Sequence, residues 1–295
     1  DETGAAVLYR SRDLLTWDLA GEITFPDAGG ALDDFGFMWE CPGLVTLTDE
    51  ATGRERDVLI WCPQGARPAG EEGYENVFPC VYAVGRLVGT ELRECDGTVH
   101  EVDRGFEFYA PQAFARRPGE PGPVLLTGWA GNAGQDDQPS IATGGWVHAL
   151  TAPRALSLRD GRLIQRPAPA LPDSAPTLGA TGSRPAGATR LGELDGHRSW
   201  HLVMDIEELG EGAWVGLRIG DDSCFVSLCL HRTDAGPQLV VDRSASRYTS
   251  HGARRTVGVP AAAARRLEVL HDRSITEVFV GDGDLAFTLR SFVAP

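Results

Sequence analysis

The runs DVLIWC at residues 57–62 and FPCVYAVG at residues 78–85 decide the fold class of this chain. Both are short apolar segments rich in Val, Leu, Phe, Trp and Tyr, and a stretch containing Gly and Pro separates them. Runs of about four to eight such residues are typical of β-strands rather than of helices. Similar runs recur from AAVLYR at 5–10 to TEVFVGDG at 276–283. The sequence therefore predicts an all-β protein.

Composition and charge limit the function of the chain. The 295 residues include 42% hydrophobic residues, 36 Gly and 19 Pro, which indicates a folded, turn-rich protein. The formal net charge of -15 disfavours nucleic acid as a partner, because nucleic-acid binding depends on Lys and Arg. No apolar run approaches the length of a membrane span, so no membrane partner is expected. A small neutral or cationic ligand fits this charge best.

The cysteines and histidines suggest neither a disulfide framework nor a cofactor. The six Cys residues are scattered and include no CxxC pair. Cys224 and Cys229 lie five positions apart in a predicted strand, which separates them by roughly 16 Å. A reduced, cytoplasmic protein is therefore predicted. His197 and His201 have a metal-like spacing, but they lie in a predicted strand, so no metal and no organic cofactor is expected.

A change of composition divides the chain into two predicted domains. The segment PAPALPDSAPTLGATGSRPAGATR at 167–190 holds few side chains that a core could bury. We place the boundary there, with domains at 1–172 and 173–295. Evenly spaced strands in the second domain predict a two-sheet β-sandwich. The uneven spacing in the first domain suits the blades of a β-propeller better.

The stretch FGFMWECPGL at 35–44 places an ionisable carboxyl, Glu40, in an apolar segment. Such a residue is usually an edge residue or one held by a backbone hydrogen bond. Its neighbours Trp39 and Cys41 favour a second interpretation, because partial burial beside an indole and a thiol favours the protonated carboxyl. A general acid that works near neutral pH needs that protonated form.

The stretch GFEFYAPQAF at 105–114 is the second candidate. Alternation along a strand places Glu107 and Tyr109 on one face, with Gln112 nearby. The simpler interpretation is a strand end with an aromatic core face. The functional interpretation is the polar lining of a sugar site, for which Trp129 in LLTGWAG would supply the aromatic ring.

These segments resemble the glycoside hydrolase family 32 enzymes, the invertase and β-fructofuranosidase group. MWECPGL at 38–44 is similar to the acid/base segment of that family, and GFEFYAPQ at 105–112 is similar to its substrate-lining segment. YRSRDLLTW at 9–17, GWAG at 128–131 and GWVHALTAPRALSL at 145–158 also resemble family segments, in the same order. The second half resembles the C-terminal β-sandwich of the family.

The resemblance implies part of a five-bladed β-propeller followed by a β-sandwich. It implies retaining hydrolysis of a terminal β-D-fructofuranosyl unit, with sucrose, sucrose 6-phosphate or a short fructan as the small sugar partner. Glu40 would be the general acid/base, and Cys41 would be the neighbour that adjusts its protonation. Trp39, Glu107, Tyr109 and Trp129 would line the pocket. Gln112 would support them from behind.

Departures from the family pattern concern the nucleophile above all. The Trp-Met-Asn-Asp-Pro-Asn-Gly and Arg-Asp-Pro motifs that carry two catalytic aspartates in the family do not occur in this sequence. Gly43 and Glu107 also stand where the family usually has Asp. We expect the chain alone to lack the nucleophile blade and to be inactive, since retaining hydrolysis needs two carboxyl groups. An exposed strand edge would then favour self-association or pairing with a complementing N-terminal segment.

Two alternatives remain open at this stage. One is a catalytically dead carbohydrate-binding or structural protein that kept the fold, and the other is an unrelated all-β lectin.

Overall fold

The computed structural model describes residues 3–67, 73–114, 122–168 and 199–293. Nearly all regular secondary structure in the described part of the chain is β-strand, in five antiparallel sheets, so the predicted all-β class is confirmed. The predicted domain boundary at 172/173 lies outside the described residues. Two short helical elements accompany the strands: the helix α1, Ser140–Gly144, and a 3-10 turn at Ala263–Arg265.

The described residues of the first half form three sheets. A two-stranded ribbon comes first, followed by a five-stranded sheet and then by a four-stranded sheet, in which neighbouring strands are antiparallel. Such sequential meanders are the blades of a β-propeller, so the predicted partial propeller is confirmed. The strands are β1 (Val7–Arg10) and β2 (Asp18–Glu22); β3 (Met38–Thr48), β4 (Glu55–Gln64), β5 (Val81–Val88), β6 (Glu91–Arg93) and β7 (His100–Glu101); β8 (Tyr109–Ala113), β9 (Val124–Trp129), β10 (Arg154–Arg159) and β11 (Arg162–Pro167).

Burial explains why DVLIWC at 57–62 lies in a strand. β4 is buried without a break from Val58 to Pro63, which a strand achieves only when both faces of its sheet are covered. Alternate residues of β4 serve two cores. Val58, Ile60 and Cys62 pack towards the four-stranded sheet, whereas Leu59 and Trp61 pack on the other face.

The second half is a sandwich of two four-stranded sheets. One sheet has the order β12, β17, β18, β19, and the other is the meander β13 to β16. Apolar residues of both sheets form one core, so the predicted sandwich is confirmed. The strands are β12 (Ser199–Asp205), β13 (Trp214–Gly220), β14 (Phe225–Thr233), β15 (Gly236–Asp242), β16 (Arg254–Gly258), β17 (Arg266–Asp272), β18 (Ile275–Val280) and β19 (Leu285–Arg290).

The two halves meet through buried charges. Arg154 of β10 is fully buried and bonds Glu277 of β18 at 2.8 Å and Asp103 at 3.0 Å. Phe106, which lies in the first half, packs into the core of the sandwich. A buried ion pair needs close geometry to offset the loss of hydration. The interface is therefore specific rather than a loose contact.

All six Cys residues are free thiols. In the part of the chain that the structure covers, no helix has both the length and the apolar character needed to cross a bilayer.

Candidate active site

β3 and β8, the first strands of two consecutive sheets, bring Glu40 and Tyr109 together. Their side chains come from positions 69 residues apart, and the Tyr109 hydroxyl donates a hydrogen bond to Oε2 of Glu40. Burial raises the pKa of the Tyr109 phenol, and the hydrogen bond to Glu40 raises it further. The phenol therefore stays protonated and acts as a donor to this carboxyl.

Gln64 completes the group, and the sequence analysis missed it. Its Nε2 donates to Oε2 of Glu40 at 3.2 Å and to the Tyr109 oxygen at 2.9 Å. β3 and β4 pair Glu40 with Cys62, and Gln64 lies two residues beyond Cys62. Side chains two residues apart on a strand share a face, so the pairing of Glu40 with Cys62 places Gln64 on the same face as Glu40. The sequence shows this only once the register between β3 and β4 is known.

Backbone irregularities follow both Glu40 and Tyr109. The register of β3 shifts between Glu40 and Gly43, and Cys41 has a φ of 49°. The register of β8 shifts after Tyr109, where Ala110 has a φ of 45°. Residues other than glycine rarely adopt positive φ, and bulges of this kind redirect side chains next to functional sites.

Cys41 is exposed beside the carboxyl. Partial desolvation raises the pKa of its thiol, and the nearby Cys62 and Glu40 raise it further. Cys41 is therefore a neutral thiol next to Glu40.

Trp129 extends the site along β9. It pairs with Tyr109 in the ladder, and the two rings meet edge to face with centroids 6.2 Å apart. His148 packs edge-on against Trp129 at 4.7 Å, and burial lowers the pKa of His148. The indole nitrogen of Trp129 is buried and has no hydrogen-bond partner within the described chain. The Trp129 ring thus lies next to Tyr109, the residue that donates to Glu40.

Trp39 requires a correction. Its indole packs on the opposite face of β3 from Glu40, stacks on Trp61 at 4.7 Å and donates to the Phe35 carbonyl at 2.7 Å. Only 7% of its surface is exposed. Neighbouring residues of a strand point to opposite faces, so Trp39 belongs to the core and does not line a sugar pocket.

Glu107 requires a second correction, and Gln112 does not take the expected place. Glu107 is completely buried, and its carboxylate bonds Arg243 of the sandwich at 2.6 Å. A sugar has no access to it there. Residues 105–108 are not a regular strand, so the alternation expected for them does not apply. Gln112 is exposed on β8 opposite Thr127, and the amide that supports the pair is that of Gln64.

The arrangement leaves one oxygen of the carboxyl available. Both donors, Tyr109 and Gln64, bind Oε2, while Oε1 of Glu40 has no hydrogen-bond partner among the residues described. A carboxyl fixed through one oxygen can exchange a proton through the other. The described ranges gather no group of three His, Cys, Asp or Glu side chains that would bind a metal ion.

Both halves of the chain match models of one glycosyl hydrolase family. Residues 1–167 match the model of the glycosyl hydrolases family 32 N-terminal domain, and residues 196–295 match that of the family 32 C terminal. The chain is 32% identical over 293 residues to a sucrose-6-phosphate hydrolase of Staphylococcus xylosus, which covers 98% of this chain and 55% of the relative. A sucrose-6-phosphate hydrolase of Klebsiella pneumoniae is 33% identical, with 99% and 55% covered.

Solved structures match the fold of the chain. A sucrose-6-phosphate hydrolase from Lactobacillus gasseri aligns with a TM-score of 0.71 at 25% identity, over 99% of this chain and 56% of that one. A Bombyx mori β-fructofuranosidase aligns with a TM-score of 0.65 at 24% identity, over 98% and 56% of the two chains, and shares the fold. The chain spans about half the length of the relatives it matches. On the matches to both domain models, which together span nearly all of it, this chain belongs to glycosyl hydrolases family 32.

Proposed function

We propose that this chain supplies the general acid/base of a retaining glycoside hydrolase that releases terminal β-D-fructofuranosyl units. The observation that carries the proposal is the Glu40 carboxyl, which Tyr109 and Gln64 hold through one oxygen while the other has no partner among the described residues. Such a carboxyl has a fixed orientation and a free position for the substrate oxygen.

The mechanism follows from that position. In the first step Glu40 would give its proton to the leaving glucosyl oxygen, as the bond from that oxygen to the anomeric carbon of fructose breaks and a nucleophilic carboxylate from outside residues 1–295 bonds to that carbon. In the second step the Glu40 carboxylate would take a proton from water, whose oxygen attacks the anomeric carbon as the bond from that carbon to the nucleophilic carboxylate breaks, and fructose is released. Tyr109 and Gln64 would keep the carboxyl aimed through both steps, and the sugar would pack against Trp129, whose ring meets that of Tyr109.

Residues 1–295 contain neither of the family motifs that carry a catalytic aspartate, so no residue is assigned as the nucleophile. Retaining hydrolysis requires it about 5 to 5.5 Å from the acid. We propose that residues outside 1–295 supply it, in the same polypeptide or in a complementing chain. The 295 residues alone would then release no fructose.

Sucrose 6-phosphate and sucrose are the proposed substrates, and short fructans are a further class to assay. The names of the relatives from Staphylococcus xylosus and Klebsiella pneumoniae support sucrose 6-phosphate.

The free state of all six cysteines supports the predicted reducing, cytoplasmic compartment.

The test compares Glu40→Gln with a matched control in the natural full-length protein. Glu55→Gln makes the same change at the far end of the β3–β4 ladder, where Glu55 lies opposite Thr48. We expect Glu40→Gln to lower kcat on the natural substrate by about 10²- to 10⁴-fold, the usual contribution of a general acid/base. Glu55→Gln should match the wild type. Equal fructose release by all three proteins would remove Glu40 from the mechanism.

A second candidate is a catalytically inactive sugar-binding or structural protein of this fold. The absence of the family's nucleophile motif from residues 1–295 favours it. If the full-length wild type bound sucrose in calorimetry without releasing fructose, this second function would replace the first.

A further inference from the structure

We propose that Arg243 of the β-sandwich is a positioning residue for the Tyr109–Glu40 pair and acts through Glu107. This inference rests on the proposed function of Glu40. It gives the sandwich a part in setting the site, which lies wholly in the propeller half.

The Glu107 carboxylate joins three separate segments. Arg243, which follows β15, donates from Nη1 to Oε2 at 2.8 Å and lies 2.6 Å from Oε1. The backbone N–H of Arg290 in β19 donates to Oε2 at 2.7 Å. Gln135, in the loop after Trp129, donates to Oε1 at 3.1 Å. One carboxylate thus fixes both the strand entry before Tyr109 and the loop after Trp129.

Arg243 is itself held rigidly. Its guanidinium is fully buried and also donates to the carbonyls of Ser250 and Gly252, each at 2.8 Å, and to that of Arg290 at 3.2 Å. A planar guanidinium with several fixed acceptors has one orientation. The ammonium of a lysine could keep the charge near Glu107 but could not make all of these bonds.

The backbone before Tyr109 is held by the same face of the sandwich. The Thr288 carbonyl of β19 accepts from the N–H groups of Phe106 at 2.8 Å and Glu107 at 3.3 Å. The Phe106 ring lies under the guanidiniums of Arg243 at 4.1 Å and Arg255 at 4.3 Å. Only Phe108 separates this anchored segment from Tyr109. Contacts with the sandwich therefore set the position of Tyr109.

The consequence is a link from the sandwich to the proton donor. A shift of Glu107 would be passed on to Tyr109, because only Phe108 lies between them in the chain. A displacement of about 1 Å at a catalytic group can cost about 10²-fold in rate. Weakening the Arg243–Glu107 bond should thus lower kcat while substrate binding changes little.

The first experiment is independent of activity. Hydrogen–deuterium exchange of the full-length protein compares wild type, Arg243→Lys and Arg243→Met, with the hairpin at 154–167 as an internal reference. We expect amides at 105–114 to exchange about 10-fold faster in Arg243→Met and less so in Arg243→Lys, with the reference unchanged. Exchange at 105–114 that stays constant, or that rises only together with the reference, would overturn the proposal.

The second experiment measures sucrose and sucrose 6-phosphate hydrolysis by the full-length protein. Arg243→Met should lower kcat by about 10- to 100-fold with KM changed less than about threefold, and Arg243→Lys should recover part of the loss. The control is Asp282→Asn, which removes two partly exposed ion pairs, to Arg159 and to Arg166, across the same interface. A loss confined to KM, or an equal loss in the control, would contradict positioning. If the wild type releases no fructose, the proposed function fails, and the exchange experiment alone decides the role of Arg243.

Discussion

The hydroxyl of Tyr109 donates a hydrogen bond to Oε2 of Glu40, which joins the first strands of two consecutive sheets. Neither residue is close to the other in sequence, and each is followed by a backbone irregularity that turns its side chain. The proton-transfer group therefore depends on the packing of one blade against the next.

Tyr109→Phe tests the contribution of that bond. In the full-length protein we expect kcat to fall by about 10-fold or more with KM nearly constant, because the carboxyl loses the donor that orients it. The control is Tyr9→Phe, since Tyr9 is exposed on β1. An unchanged kcat for Tyr109→Phe would show that Gln64 alone suffices to hold Glu40.

The sequence revealed the strands and the acid/base candidate, but it could not place the surrounding side chains. Glu40 and Tyr109 were found because their segments carry distinctive local patterns. Trp39 and Glu107 were misplaced, because which face of an element is buried depends on sheets that pack from elsewhere in the chain. Gln64 was missed for a related reason, since its role depends on the β3–β4 register and on the approach of β8.

Gly105 shows how closely the propeller segment approaches the sandwich. A Cβ at this position would lie 2.1 Å from the Thr288 carbonyl oxygen and 2.3 Å from its nitrogen, both backbone atoms that cannot rotate away. We expect Gly105→Ala to destabilise the chain by about 1 to 3 kcal/mol or more in urea denaturation. Gly258→Ala meets no atom within 4 Å and should stay close to the wild type. Equal stability of both variants would contradict the close approach.

The buried cluster around Arg154 predicts a large cost for its removal. Arg154→Met would leave Asp103 and Glu277 without their buried counter-charge. The free energy of unfolding should fall by about 3 to 5 kcal/mol, measured by urea denaturation. Arg159→Met removes partly exposed ion pairs to Glu50 and Asp282 and should cost about 1 kcal/mol or less. A smaller effect at Arg154 than at Arg159 would contradict the model of the interface.

His271 predicts a pH dependence of stability. Its ring stacks on Trp200 at 5.1 Å, and burial lowers its pKa to about 4. The unfolded chain binds this proton near pH 6.5, whereas the folded chain does not until about pH 4. The free energy of unfolding therefore has its full value above pH 6.5 and decreases between pH 6.5 and 4, by roughly 3 kcal/mol at most.

His271→Gln should flatten that slope, as measured by urea denaturation at several pH values. The control His201→Gln changes a ring that lies on the outer side of β12 and pairs with Glu268. A slope that persists in the His271 variant would assign it to other groups.

The most direct test of the acid/base role of Glu40 compares two substrates with Glu40→Ala in the full-length protein. Sucrose needs a protonated leaving group, whereas β-D-fructofuranosyl fluoride does not. Azide replaces water without needing a base, so we expect sucrose turnover to be lost while the fluoride with azide yields β-fructofuranosyl azide. Equal losses on both substrates, with no azide product, would contradict the assignment of Glu40 as the general acid/base.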